Sequence, residues 1–265
     1  MQSADQHDLH LSAGIAAFIR GSEGDDIGRL VDHLDRFGEV AIFGGLPRDF
    51  ARVGSANFNS DVDLVVDTPA GVLENVLRPM GAEVNRFGGY RIRYGRFEFD
   101  IWALERTWAV SAGLVAVQSL TDLVKTTFFD CDAILYHCRT STISRSGSFW
   151  SNLHQGIVDI NLEANPHQVG TLVRTLRVLF DWQQSLSPKL ADYLVAGLAE
   201  HRAAVVQYAL AHSGAYRFTR ELDLDVALGE LHCQETSNGL QFKQLMRHRR
   251  PRGKRASSCL NTIYP

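Results

Sequence analysis

The chain has 265 residues, 45% of them hydrophobic and 22% charged, with a formal charge of −3. That is the composition of a globular protein, with apolar material for one large domain or two modest ones. No stretch approaches 18 uninterrupted apolar residues, and Met1 to His10 has no basic start followed by an apolar run. The expectation is a cytoplasmic chain with neither a membrane span nor a secretory signal.

The charge is uneven. Arg247, Arg249, Arg250, Arg252, Lys254 and Arg255 stand in nine residues without an acid, which leaves 21 basic against 30 acidic residues elsewhere, a balance of −9. An acidic body with a basic tail is the asymmetry of a tail that seeks phosphate. The cysteines are Cys131, Cys138, Cys233 and Cys259; no spacing among them suits zinc, and they read as free thiols.

In chain order, Leu11 to Arg20 is a short amphipathic helix. Asp25 to Phe37 is a better one, with Ile27, Leu30, Val31 and Leu34 spaced by three and four and Gly38 as the stop. Val40 to Phe43 is an apolar strand. Gly44-Gly45 then turns into a helix with Pro47 in its first turn, ending near Gly54. A glycine turn at a helix N-terminus suits phosphate, because backbone N–H groups approach the anion and the helix dipole favours it. Asp61-Val62-Asp63 leads into the strand Val62 to Val66. Alternation puts both carboxylates on one face, and two hard oxygens on one face suit Mg²⁺.

A helix follows to about Met80. Three strands then read as Glu83 to Phe87, Tyr90 to Tyr94 and Arg96 to Trp102, with glycines at the turns. In the last, Glu98 and Asp100 alternate with Phe97, Phe99 and Ile101 and so point to one face. Beyond residue 103 the expectation is mostly helix, with Pro188 to Ala211 the longest and Glu221 to His232 the last. His201 and His212 have no paired acid or cysteine nearby and read as surface residues. After Ser237 the chain turns polar and basic and reads as poorly ordered.

Gly44-Gly45-x-x-Arg48-Asp49 followed by Asp61-x-Asp63 resembles the nucleotidyltransferase superfamily of DNA polymerase β. Within it, the pattern is similar to the head domain of class II CCA-adding enzymes and bacterial poly(A) polymerases. The stretch Leu123 to Tyr136 resembles the family's Arg-Arg-Asp-Phe-Thr-Ile-Asn-Ala-Met-Ala motif. Here Thr126, Thr127 and Phe128 take the place of the charged triplet, Asp132 that of Asn, and Lys125 offers one positive charge. His154 to Ile160 resembles the join between head and neck. Leu172 to Phe180 resembles the neck helix, where Arg174 and Arg177 remain but the preceding Glu-Asp pair falls on Gly170-Thr171.

The resemblance implies an α+β fold: a small mixed-sheet head over residues 1–140, a helical neck-like domain over 141–236 and a basic tail over 237–265. It implies Asp61, Asp63 and, as third carboxylate on a neighbouring strand, Asp100 as catalytic residues and Mg²⁺ ligands, with Glu98 as runner-up to Asp100. It implies nucleotide contacts from Gly44, Gly45, Arg48, Asp49, Lys125, Asp132, Arg174 and Arg177, with Arg48 pairing phosphate and Asp49 bracing the loop. The implied reaction moves a nucleoside monophosphate from an NTP to a hydroxyl, foremost an RNA or tRNA 3′ end. Two rivals stand beside it: transfer to a protein or small molecule, and a non-catalytic nucleotide or RNA binder.

Overall fold

The computed structural model describes residues 3–55, 58, 60–232 and 236–241. Of the tail read over 237–265, residues 237–241 are described, and there Leu240 is buried and bridges to Leu186 where poor order was expected; the basic run of 247–255, Cys233 and Cys259 lie outside the described residues. No helix among those described is long and apolar enough to cross a membrane.

The helices are α1 (Ala4–Arg20), α2 (Asp25–Leu34), α3 (Gly45–Val53), α4 (Ala70–Leu77), α5 (Trp108–Ser111), α6 (Phe149–Gln155), α7 (Gln168–Phe180), α8 (Pro188–Ala211), α9 (Phe218–Glu221) and α10 (Leu224–His232). The strands are β1 (Glu39–Phe43), β2 (Val62–Asp67), β3 (Glu83–Val84), β4 (Tyr90–Tyr94), β5 (Phe97–Ala103), β6 (Ile134–His137), β7 (Thr142–Arg145), β8 (Ile157–Val158) and β9 (Ser185–Leu186). Seven strands form one mixed sheet in the order β3-β4-β5-β2-β1-β6-β7, in which only β2 and β5 run parallel.

The first half follows the expected order closely. The first helix is longer than expected, because Ser3 and Gln6 form a capping box that starts it at Ala4. The strand expected over Glu83 to Phe87 shrinks to two residues, since Asn85 accepts from Phe87 N and Gly89 N and turns the chain there. The larger departure follows residue 103. In place of continuous helix, residues 104–145 carry short 3₁₀ turns and then β6 and β7, which extend the sheet beyond β1. The sheet therefore continues past residue 140, to Arg145.

The sheet has two unlike faces. Val62, Leu64 and Val66 of β2 and Phe97, Phe99 and Ile101 of β5 join Ile15, Leu30, Leu46 and Leu73 from α1 to α4 in the main core. The other face holds a small cluster of Ala41, Val65, Leu104, Leu120, Leu123 and Leu135. Asp61 and Asp63 lie on this thinly covered face, one step out of phase with the core residues of β2.

A second core belongs to α7, α8 and α10 and takes in Phe128 and Phe129 from the head side. Head and neck are stitched where Asn161 N donates to Phe128 O at 2.7 Å and Leu162 N to Thr127 O at 3.0 Å. Asp130, buried, accepts from Asp159 N at 2.8 Å and from Asn152 Nδ2 at 2.6 Å. This is the join expected around His154 to Ile160.

The neck helix α7 is held by close packing on α8. A Cβ built on Gly197 would lie 2.5 Å from Leu172 Cδ2, and Leu172 is fully buried. Gly197→Val is expected to overpack this contact and lower unfolding stability by about 1–3 kcal/mol. Urea denaturation measures it, and an unchanged midpoint would refute the close packing.

Candidate active site

The site is assembled by three neighbouring strands and one turn. β1 ends at Phe43, and the chain turns through Gly44 at φ 63° and ψ −101°, a conformation open only to glycine, into α3. Gly44 N donates to Ile134 O at 2.9 Å, which ties the turn to β6. Gly45 follows, open on the side of Asp63: a Cβ there would lie 3.8 Å from Asp63 Oδ2 and 3.8 Å from Arg48 Nη2. The start of α3 and the carboxylate of β2 therefore face each other.

The parallel register sets Asp63 of β2 opposite Asp100 of β5, and the antiparallel register sets Asp100 opposite Arg91 of β4. Asp61, two residues before Asp63, is exposed at the rim. Burial, then repulsion from Asp100, Asp61 and Asp132, pushes the Asp63 carboxyl up to about 7. No hydrogen bond or ion pair to it is found among the described residues. Asp100 is buried and gives both oxygens to Arg91.

Asp132 forms the opposite wall. It is buried, yet its carboxyl is held below the usual range: burial raises it, and Arg48 and Arg174 together lower it further. Arg48 Nη1 donates to Asp132 Oδ1 at 2.5 Å and Arg174 Nη2 to Asp132 Oδ2 at 2.6 Å. Arg48 is buried and also donates through Nε to Asp49 Oδ1 at 2.9 Å. Burial opposes its charge, but Asp132 and Asp49 outweigh that, and its pKa rises.

Trp182 gathers three guanidinium groups: Arg52 at 4.6 Å, Arg48 at 4.8 Å and Arg177 at 5.3 Å from the ring centroid. Arg174 lies 5.1 Å over the Phe129 ring. Burial, then repulsion from Arg48, lowers the Arg177 pKa.

One cleft of about 460 Å³ collects Gly44, Gly45, Arg48, Asp61, Asp63, Asp132, Arg174 and Arg177, with Phe87, Trp102 and Trp108 on its walls. A larger hollow of about 560 Å³ holds Asp61 and Glu98 but neither Asp63 nor the glycine turn, so the smaller cleft is the candidate site. Glu98, the runner-up, is exposed and separate from Asp63.

Three expected contacts come out differently. Lys125 is absent from the cleft lining and pairs with Asp122 at 2.6 Å. Arg48 is committed to Asp49 and Asp132, so it braces the wall instead of reaching outward for phosphate. Asp132 likewise holds two arginines. Asp49 pairs with Arg48 and Arg52 of its own helix, and Thr126, Thr127 and Phe128 give the cleft a neutral wall.

Arg91 and Trp182 went unread in the sequence. Arg91 was countable: a Gly95-Arg96 turn that pairs Tyr94 with Phe97 sets position 91 against position 100. Trp182 has no local signal, because its arginines come from α3 and α7.

As the side chains stand, no three His, Cys, Asp or Glu residues among those described form a metal-holding group. The donor chemistry still fits a hard divalent cation. Asp63 has acid neighbours and no ion pair among the described residues, with Arg174 only partly offsetting their repulsion, and two carboxylates plus substrate phosphates meet the usual needs of Mg²⁺.

No family model matches the sequence, and no curated protein matches it. Solved structures do. A CCA-adding enzyme in complex with CTP is 15% identical over 76% of this chain and 49% of its own, with a TM-score of 0.52. A tRNA-processing enzyme in an apo form is 19% identical over 77% of this chain and 58% of its own, with a TM-score of 0.49. The chain thus spans about half the length of the CCA-adding enzyme it matches. The chain has the fold of about half of that CCA-adding enzyme.

Two consequences are measurable. Asp63→Asn removes a charge that crowding disfavours, so the variant is expected to melt higher than the wild type at pH 8 in EDTA. The wild-type Asp63 is protonated in the folded state as pH falls below about 7, so the gain should shrink by pH 5. Calorimetry at both pH values tests this, and a gain larger at pH 5 would contradict it. Gly44→Ala forces a side chain into a glycine-only conformation and should cost about 1–3 kcal/mol in chemical denaturation.

Proposed function

We propose that the protein is a metal-dependent nucleotidyltransferase that moves a nucleoside monophosphate from an NTP to a hydroxyl, with an RNA or tRNA 3′ end as the acceptor. One observation carries the reading: Asp61 and Asp63 meet the Gly44-Gly45 helix start in one cleft, on the fold of a CCA-adding enzyme head. A pure binder has no need of the unpaired Asp63 beside two further acids.

Asp61 and Asp63 would hold the Mg²⁺. When bound, the ion neutralises triphosphate charge and acidifies the attacking hydroxyl. The residues of the chain do the rest by positioning and charge, as is usual for phosphoryl chemistry. The Gly44-Gly45 turn lets backbone approach the phosphates at the start of α3. Arg174 and Arg177 present positive charge from α7 to triphosphate or base. Phe87, Trp102 and Trp108 give flat apolar surface against which a base stacks. Asp100 completes the acidic face behind Asp63. The free thiols of Cys131 and Cys138 suit a cytoplasmic setting.

Each of four α-labelled NTPs incubated with total RNA and Mg²⁺ tests this reading. Label is expected in RNA with the wild type, and incorporation should fall by about a hundredfold or more in Asp61→Ala and Asp63→Ala. Retained activity in both variants would sink the metal assignment. Label in the protein itself, or only in an added small hydroxyl compound, would replace the RNA acceptor and leave the chemistry standing.

A further inference from the structure

The register of three strands lines up a row of charges across the open face: Arg91 on β4, Asp100 on β5 and Asp63 on β2. Arg91 Nε donates to Asp100 Oδ1 at 3.1 Å, and its Nη2 donates to Asp100 Oδ2. The same Nη2 stands 3.7 Å from Asp61 Oδ2. Asn85 Nδ2 adds a donor to Asp100 Oδ1 at 3.3 Å, and its own Oδ1 is fixed by Phe87 N at 2.9 Å and Gly89 N at 3.0 Å. Both oxygens of Asp100 are therefore engaged, and Asp100 does not itself line the cleft. The Arg91 side chain is 53% exposed, against 11% for that of Asp100. The acid is anchored while the guanidinium has room to move.

A guanidinium that grips one carboxylate and reaches a second takes up the direction from which a cation would bridge them. We propose that Arg91 is a positioning residue of the metal site, the resident counter-cation of Asp61 and Asp100. It confines the first divalent ion to Asp63 and Asp61, and a second position between Asp61 and Asp100 opens only when Arg91 leaves. On its flexible stem Arg91 then meets the phosphate oxygens of the nucleotide, for which its planar fork is suited. This inference rests on the nucleotidyltransferase reading. It goes further in making Asp100 a holder of Arg91 in the nucleotide-free protein, not a ready metal ligand.

Mn²⁺ titration of the nucleotide-free full chain, followed by electron paramagnetic resonance of the free ion, reads affinity and number of sites without any need for turnover. The wild type is expected to take up one ion. Arg91→Gln should bind the first ion about tenfold more tightly, the size of one close charge interaction, and take up a second. Arg91→Lys keeps the charge but loses the two-pronged grip, so it should fall between them, and it serves where Arg91→Gln does not fold. Arg91 variants that match the wild type in affinity and in number of ions would overturn the proposal. Asp63→Ala separates the two ideas. If it loses Mn²⁺ while Arg91→Gln behaves as wild type, the Arg91 proposal alone fails. If neither the wild type nor Arg91→Gln binds Mn²⁺, both fail.

Discussion

Like charge on one sheet face is the constraint to which the rest of the structure answers. Asp61, Asp63, Asp100 and Asp132 converge from the rim of β2, from β2, from β5 and from the turn before β6. At about 4 Å, two unit charges repel by about 4 kcal/mol under the screening typical near a protein surface. Three acids lining one cleft, with Asp100 close behind, cannot stay charged together without cations, and the chain supplies them unequally. Asp132 has Arg48 and Arg174, and Asp100 has Arg91. Asp61 is exposed enough to be screened by water. Asp63, half-buried, is left without a hydrogen bond or ion pair among the described residues, and desolvation and the neighbouring acids push its carboxyl up. The main core beneath β2 and β5 keeps the acids from moving apart.

The same charges join head to neck. Arg48 comes from α3, Asp132 from the 3₁₀ turn before β6, and Arg174 from α7. One buried carboxylate therefore fixes the neck helix against the head at the cleft. Removing either arginine leaves the other to neutralise Asp132 alone, in a place where unpaired charge is costly. Trp182 does the complementary work. Its ring lies within 5.3 Å of the guanidinium groups of Arg48, Arg52 and Arg177. Arg52 Nε is buried without a hydrogen-bond partner among the described residues. Positive charge is thus concentrated beside a cluster of negative charge, with neither side fully neutralised.

The sequence is readable where the determinants are local. The strand, glycine turn, helix and Asp-x-Asp between residues 39 and 67 follow from alternation, helix spacing and the conformational needs of Gly44. Asp100 follows from alternation as well. The failures have physical causes. Ile134 to His137 is a short, wholly buried apolar run, and such a run carries no period that separates strand from helix. Its partner β7 is polar and lies at the sheet edge. Asp132 reads as a nucleotide contact when set against a motif. Its two arginines come from 84 and 42 residues away in sequence, and no local pattern announces them. Lys125 offered a charge at the right distance along the chain, but Asp122, one 3₁₀ turn earlier, takes it.

The distribution of charge gives the cleft a direction. Outside the basic run of residues 247–255 the chain is net negative, so an anion meets repulsion over much of the body. Thr126, Thr127 and Phe128 leave the wall nearest them neutral. The guanidinium groups stand instead on two sides: Arg174 and Arg177 on the neck helix, and Arg91 at the β4 edge of the sheet. A polyanion entering between them would be attracted from both sides and repelled by Asp63 within the cleft and by Asp61 at its rim. A cation placed on those two acids turns that repulsion into attraction. Field lines focus in a cleft with low-dielectric walls, so this reversal of sign is felt over the length of a triphosphate and not only at the contact. On the proposed reading, anion and cation would favour each other's binding by electrostatics alone, through arginines held by the fold instead of the charged triplet that positions 126 to 128 lack.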